Sequence, residues 1–247
     1  WESATSLGRC GAAAVSALEQ ACAAEPARVR QGAARALGLI GPEAAAAAPV
    51  LTEALADPEP LVRESAAEAL GRLGPSAASA IEPLVAAFAD EDPYLGGAAA
   101  IALGRIGTAS VPALMGALAD ARENARWSAA IALGRLGPSA AAAAPALVRA
   151  LGDANVMVRA CAATALGSIG SGAADTVPAL GAALHDRDED VRHAARIALA
   201  AIAPSLRAAP PVRDEVIATI DRLVPKLMEE HRDPGVSIAL VDEGRVA

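Results

Sequence analysis

The strongest constraint on this chain is that it repeats itself. Leu-Gly recurs at Leu37-Gly38, Leu70-Gly71, Leu103-Gly104, Leu133-Gly134 and Leu166-Gly167, with Leu199-Ala200 as a degenerate copy, so the period is 33 residues apart from one step of 30. A fixed period of this size marks an architecture of stacked units, none of which can bury its apolar face alone. A further copy lies at Leu7-Gly8, and the segment after it, Gly11–Leu18, aligns without gaps to Gly107–Leu114, which places Trp1 opposite Trp127. This alignment predicts that the sequence begins inside the first helix of a repeat and is a fragment at its N-terminal side.

Each unit reads as two helices. In Leu61-Val-Arg-Glu-Ser-Ala-Ala-Glu-Ala-Leu70, the residues Leu61, Val62, Ala66, Ala69, Leu70 and Leu73 fall at helical spacing and predict one buried stripe. Gly71 and Gly74 are expected to end this helix, and Pro75 to open the next, because glycine accepts the left-handed conformation of a helix C-terminus and proline suits a first turn. The second helix carries Pro49, Pro112, Pro145 and Pro178 at equivalent places, with Pro83 one residue out of step. The pairs Leu51/Leu55, Leu84/Phe88, Leu114/Leu118, Leu147/Leu151 and Leu180/Leu184 follow at i,i+4 and are expected in the core. The predicted fold is all-α: a right-handed α-solenoid over residues 1–205, made of a partial first repeat and about six units. At 8–10 Å between packed helices, six units would form a curved rod roughly 60 Å long.

Composition narrows the partners. Of 247 residues 54% are apolar but only 2% are aromatic, and 69 are alanine, so the core is built from small side chains. A net charge of -8 gives no electrostatic footprint for a phosphate backbone or an anionic membrane, which argues against nucleic acid and membrane partners. Gly, Pro or charge interrupts every alanine run before about 18 residues, so no spanning segment is expected, and the chain reads as soluble. No leader pattern occurs within these residues, which leaves the compartment open.

The order Asp, Val-Arg, Ala-Ala-x-Ala-Leu-Gly-x-Leu/Ile-Gly, as in Asp57…Val62-Arg63…Ala66-Ala67-Glu68-Ala69-Leu70-Gly71-Arg72-Leu73-Gly74, resembles the short HEAT repeats of phycobilisome-lyase-like proteins across about residues 1–205. The resemblance implies a HEAT solenoid. It leaves function open, since such repeats serve scaffolds, adaptors, lyases and hydroxylases alike.

The most regular polar feature is a pair six residues apart: Asp57 with Arg63, Asp120 with Arg126, Asp153 with Arg159, and Asp186 with Arg192. Such a ladder could dock an ionic partner, but its strict repetition favours a structural role, in which each Asp caps the following helix while its Arg reaches the turn of a neighbouring unit. The third unit departs from the pattern, with Gly96 after Asp90, which predicts weaker stacking and a bend at Tyr94–Gly97. The Gly38-x-x-Gly41 loops lack the Lys-Ser/Thr ending of a phosphate loop and follow no strand. His185, His193 and His231 form no His-Glu pair of the kind seen in HEAT di-iron hydroxylases, so no metal is expected. Cys10 and Cys22 occupy slots held by Ile or Leu in other repeats and read as core, while Cys161 has no basic neighbour to activate it. Four aromatics, Trp1, Phe88, Tyr94 and Trp127, are too few for a bilin pocket.

The variable positions between the fixed leucines of the second helices are Thr52, Glu53, Val85, Ala86, Met115, Gly116, Val148, Arg149, Gly181 and Ala182. They predict a shallow, mostly apolar inner groove, with Thr52, Glu53, Val85, Met115, Val148 and Arg149 as the candidate partner contacts. The groove suits a helix or extended peptide; small residues there also allow tight curvature.

The repeat stops near Pro204. Residues 206–247 read as a linker, an amphipathic helix over 213–232 and a β-hairpin around Asp242-Glu-Gly244-Arg-Val246. The stretch Ile220–Val246 resembles the opening of a serine β-lactamase or penicillin-binding-protein-like hydrolase. That family's Ser-x-x-Lys is absent, since the only lysine, Lys226, has Leu223 three positions before it. The sequence therefore predicts a non-enzymatic scaffold or adaptor that binds a protein or peptide. It needs no cofactor and is monomeric unless the hairpin pairs. The alternative is an accessory or regulatory domain ahead of a hydrolase whose catalytic part lies beyond these residues.

Overall fold

The computed structural model describes residues 14–90, 92–202, 241–242 and 245–246. The chain divides into two units, Trp1–Pro204 and Ser205–Ala247. In the first, short and long helices alternate. The long ones, α2 (Ala27–Ile40), α4 (Pro60–Leu73), α6 (Pro93–Ile106), α8 (Glu123–Leu136), α10 (Val156–Ile169) and α12 (Glu189–Ile202), have 14 residues each. The short ones are α1 (Val15–Ala21), α3 (Ala48–Glu53), α5 (Ile81–Ala86), α7 (Val111–Ala117), α9 (Ala144–Ala150) and α11 (Val177–Ala183). The described residues thus hold five long-plus-short pairs, flanked by α1 and α12.

The predicted stripe of α4 is buried at Val62, Ala66, Ala69, Leu70 and Leu73, but Leu61 is 52% exposed. Leu61 lies about 100° around the helix from Val62 and faces outward, as do Tyr94 and Met157 at the same register. The two glycines after each stripe also do different work. Gly71 does not end the helix: it lies inside α4, where a Cβ would come within 2.8 Å of the Ala102 Cα on α6. Gly38 meets Ala69 and Gly167 meets Ala198 in the same way, at 2.9 and 2.8 Å. Neighbouring long helices therefore stack backbone to backbone at a Gly–Ala crossing. In α12, Ala200 takes this slot, and no further long helix follows among the described residues.

Only the second glycine closes the helix, with φ of +63° at Gly74 and similar values at Gly41, Gly107, Gly137 and Gly170. From it runs a 3-10 arm, Gly41–Ala47, Gly74–Ala80, Gly137–Ala143 or Gly170–Thr176, before the short α-helix begins. Each arm buries an alanine at its middle: Ala44, Ala77, Ala140 or Ala173. The third unit keeps only Thr108–Ser110 after Gly107, and this deletion in the connection is the source of the 30-residue step. Ser110 closes the shortened turn from a fully buried position. Its hydroxyl lies 2.7 Å from the Gly107 carbonyl and 3.0 Å from the Leu103 carbonyl, so it can donate to either.

By length and apolarity the runs Glu123–Ala150 and Val156–Ala183 reach the composition of a membrane span. Each is two arms folded about Gly137 or Gly170 rather than one rod, and a 14-residue helix is about 21 Å long, against about 30 Å of bilayer core. Their apolar sides contribute Leu133, Leu147, Leu166 and Leu180 to the continuous core.

In the second unit β1 (Val241–Asp242) pairs antiparallel with β2 (Arg245–Val246), with Val241 opposite Val246 and Asp242 opposite Arg245. The expected helix over 213–232, the hydrolase-like stretch before Val241, Trp1, Cys10, Lys226 and His231 lie outside the described residues.

Candidate functional site

Each ladder aspartate shapes the turn before a long helix. Its Oδ1 accepts from the backbone N–H two residues on, at 2.9 Å from Glu59 to Asp57, 2.8 Å from Arg122 to Asp120, 2.8 Å from Asn155 to Asp153 and 2.9 Å from Asp188 to Asp186. This is an Asx turn, not a helix cap. The N-cap positions are Glu59, Asp92, Arg122 and Asn155, of which Asp92 and Asn155 cap with their side chains.

The arginine six residues on reaches back to the backbone, not to the carboxylate, of its own aspartate. Arg63 donates to the Asp57 carbonyl, Arg126 to Asp120 and Arg159 to Asp153, each at 3.0 Å, and Arg192 to Asp186 at 2.9 Å. The carboxylate contact crosses to the next unit, 27 residues along. Arg30 grips Asp57 through Nε and Nη2 at 2.7 and 2.8 Å, Arg126 grips Asp153 at 2.7 and 3.0 Å, and Arg159 grips Asp186 at 2.8 and 2.9 Å. These forked pairs are the strong form of a charge-assisted hydrogen bond. The guanidinium contacts hold the Asp57, Asp153 and Asp186 carboxyls below the usual carboxylate range, outweighing the opposing effect of burial.

The ladder falters in the middle. Arg63 holds Asp90 by a single bond of 3.0 Å, and its buried Nε has no partner. Gly96 then leaves Asp120 without a grip from the preceding unit, and Arg122 takes it at 2.9 Å through both Nε and Nη2, lowering the Asp120 pKa to about 2. The α6–α8 contact is also the smallest of any neighbouring pair of long helices.

The positions predicted as partner contacts share one register on the short helices. Thr52, Val85, Met115 and Val148 each follow the buried leucine and are half-buried; Glu53, Ala86, Gly116 and Arg149 come next and are exposed. Thr52 and Arg149 turn back onto their own helices, Thr52 donating to the Ala48 carbonyl at 2.8 Å and Arg149 to the Pro145 carbonyl at 3.3 Å. A cleft between α3 and α5 takes in Thr52, Leu55, Pro83 and Ala86 and reaches the ladder at Asp57, Arg63 and Asp90. Its walls come from two successive units, and no spacing within one unit marks it.

His185 and His193 are exposed, and among the described residues no cluster of three His, Cys, Asp or Glu could hold a metal. Burial pushes the Cys22 thiol up to about 11 and raises that of Cys161, which leaves both poor nucleophiles.

A family model described as HEAT repeats matches residues 1–71, 48–134, 81–151 and 111–200. No curated protein matches. Among solved structures, the archaeal HEAT-like repeats protein from Thermococcus onnurineus NA1 is similar at 12% identity and a TM-score of 0.55, over 81% of this chain and 92% of that one. The complex of CpcE and CpcF of phycocyanin lyase from Nostoc sp. PCC7120 is similar at 22% identity and a TM-score of 0.50, over 62% of this chain and 98% of that one. Stacked long and short helices, glycine-closed turns and a matching family model over most of the length together make this chain a member of the HEAT repeat family.

Proposed function

We propose that the solenoid is a binding scaffold without chemistry of its own, and that it receives a protein or peptide along its short helices. The observation that carries this reading is the row Thr52, Val85, Met115 and Val148: four half-buried side chains at one register, each followed by an exposed position, Glu53, Ala86, Gly116 or Arg149, with the Arg126–Asp153 and Arg159–Asp186 charges paired inside the scaffold. A shallow, weakly charged face of this kind suits an amphipathic helix or extended strand, and Met115 can repack around different contacts. The CpcE–CpcF complex, similar in fold, is itself an assembly of two proteins.

The test is capture of partners from the native source by the wild-type chain and by Met115→Asp/Val148→Asp, with the thermal midpoint measured for both. Loss of the captured partner at an unchanged midpoint is the expected result. Retention of the same partner at full strength would place the site elsewhere.

A further inference from the structure

Among the described residues, four arginine clamps join successive units, and one of them is half made. Arg30, Arg126 and Arg159 each meet a carboxylate with two bonds, Nε to Oδ2 and Nη2 to Oδ1. Arg63 keeps only the second, Nη2 to Asp90 Oδ1 at 3.0 Å, while its Nη1 donates to the Asp57 carbonyl. Two groups that pair in the other clamps are therefore left over. Arg63 Nε is buried without an acceptor. Among the described residues, both bonds that the Asp90 carboxylate accepts, from Arg63 Nη2 and from the Asp92 N–H, fall on Oδ1, so Oδ2 can accept another. The Asp90 side chain is 26% exposed, against 9% for Asp57 and 13% for Asp153 and Asp186 in the forked clamps.

This half-made clamp lines the cleft of about 660 Å³ between α3 and α5. Leu55, Pro83, Ala86 and Leu95 supply apolar wall, and among the described residues Asp57, Arg63 and Asp90 are the charges that line it. Asp57 is already gripped by Arg30. A carboxylate entering here would face Asp57 and Asp90, and an ammonium would face Arg63, so neither sign of charge is favoured. The cleft offers instead one donor and one acceptor without partners, and a buried donor left unmade is costly. A carboxamide carries the complementary acceptor and donor on one planar, uncharged group. A backbone amide cannot serve both, because its C=O and N–H point in opposite directions across the trans peptide. We infer that the cleft receives the side-chain carboxamide of a glutamine in an extended peptide, whose oxygen accepts from Arg63 Nε and whose NH2 donates to Asp90 Oδ2. Neighbouring apolar side chains of the peptide lie against Leu55 and Pro83. Nε is enclosed as Arg63 stands, so a long stem is needed to reach it, and a single carboxylate bond holds this guanidinium less firmly than a fork would. Being neutral, the carboxamide is not repelled by a chain whose net charge is -8. The inference rests on the scaffold reading above and names what its short-helix face selects where Thr52 and Ala86 border the cleft.

The experiment uses fluorescence anisotropy with labelled Leu-Ala-Gln-Ala-Leu and two counterparts that carry Glu or Met in place of Gln. The wild-type chain should bind the Gln peptide roughly fivefold or more tightly than either counterpart, because Glu meets Asp90 with like charge and Met can make neither bond. In proton–nitrogen NMR spectra the Arg63 Nε–H signal should move with the Gln peptide and stay in place with the Met peptide. Asp90→Asn keeps an oxygen for the turn and replaces the free acceptor by a donor, so the preference should reverse to Glu. Met115→Asp/Val148→Asp lies outside the cleft and should leave the Gln preference unchanged. Loss of the native partner in that double variant, with no Gln preference in the wild-type chain, would leave the scaffold reading standing and overturn this inference. A Gln preference with the native partner retained in the double variant would keep this site and move the rest of the partner's footprint elsewhere. No binding of the Gln peptide at millimolar concentration, equal binding of all three peptides, or an unaltered preference in Asp90→Asn would overturn the inference as well. Because the peptide comparison uses wild-type protein, it decides the matter even if Asp90→Asn does not fold.

Discussion

At the scale of single residues, identical glycines carry opposite consequences because of what stands opposite them. A Cβ at Gly71 would press to 2.8 Å on the Ala102 Cα, and backbone cannot swing aside as a side-chain tip can. At Gly97 a Cβ would meet nothing within 4 Å. Gly71→Ala should therefore destabilise by about 1–3 kcal/mol as α4 and α6 are forced apart, whereas Gly97→Ala should stabilise by about 0.5–1 kcal/mol by reducing the freedom of the unfolded chain within a helical segment. Urea midpoints of the two variants check this, and a shift in the same direction for both would contradict the packing described. The Ala-Leu-Gly signature was plain in the sequence, but its glycine's task was not. A stop signal and a close approach both call for the smallest residue, and only the helix standing opposite distinguishes them. Leu61 was misplaced for a related reason: apolarity marked it as core, although its register faces outward.

At the scale of elements, spacing revealed the ladder while hiding how it is wired. A separation of six residues correctly joined each Asp to its Arg within one turn, but that join runs through a backbone carbonyl. The carboxylate contact spans 27 residues: the expected reach of the Arg to the turn of the neighbouring unit ends on that unit's Asp, a partner that spacing alone does not name. The short helices were legible from Pro49, Pro112, Pro145 and Pro178, all in their first turns, whereas the 3-10 arms ahead of them were not, since a run such as Ala44–Ala47 carries no periodicity to separate the two helix types. The wiring fixes the sign of the pH response. Unfolded aspartates titrate near 3.9, and Asp57, Asp120, Asp153 and Asp186 titrate lower when folded. Their contribution is complete above the unfolded value and is lost as pH falls through the folded values, so the urea midpoint should drop between pH 6 and pH 3. In Arg159→Met, Asp186 loses the guanidinium that depresses it; the variant should be less stable at pH 6 yet lose less on acidification. An acid response identical to that of wild type would show that the clamp does not govern it.

At the scale of the whole solenoid, stability is a sum of unit terms and nearest-neighbour terms, so the weakest interface decides where the array parts. Three departures coincide between α6 and α8: Gly96 replaces the clamping arginine, Arg122 engages Asp120 from within its own turn, and the connection from α6 to α7 is three residues short. The contact between these long helices is correspondingly small. Residues before and after this seam should open as two cooperative blocks, with amides of α6 and α8 exchanging before those of α4 and α10, which are flanked by stacked neighbours on both sides. Gly96→Arg combined with Arg122→Ser offers Asp120 a guanidinium from the preceding unit and removes the local competitor. It should raise protection in α6 and α8 selectively and bring the two blocks toward a single transition. Hydrogen exchange resolved by peptide reads this directly. Uniform protection across the long helices of the wild-type chain, or a variant whose protection rises equally in α2 and α12, would mean that the missing clamp does not set the point at which the array parts.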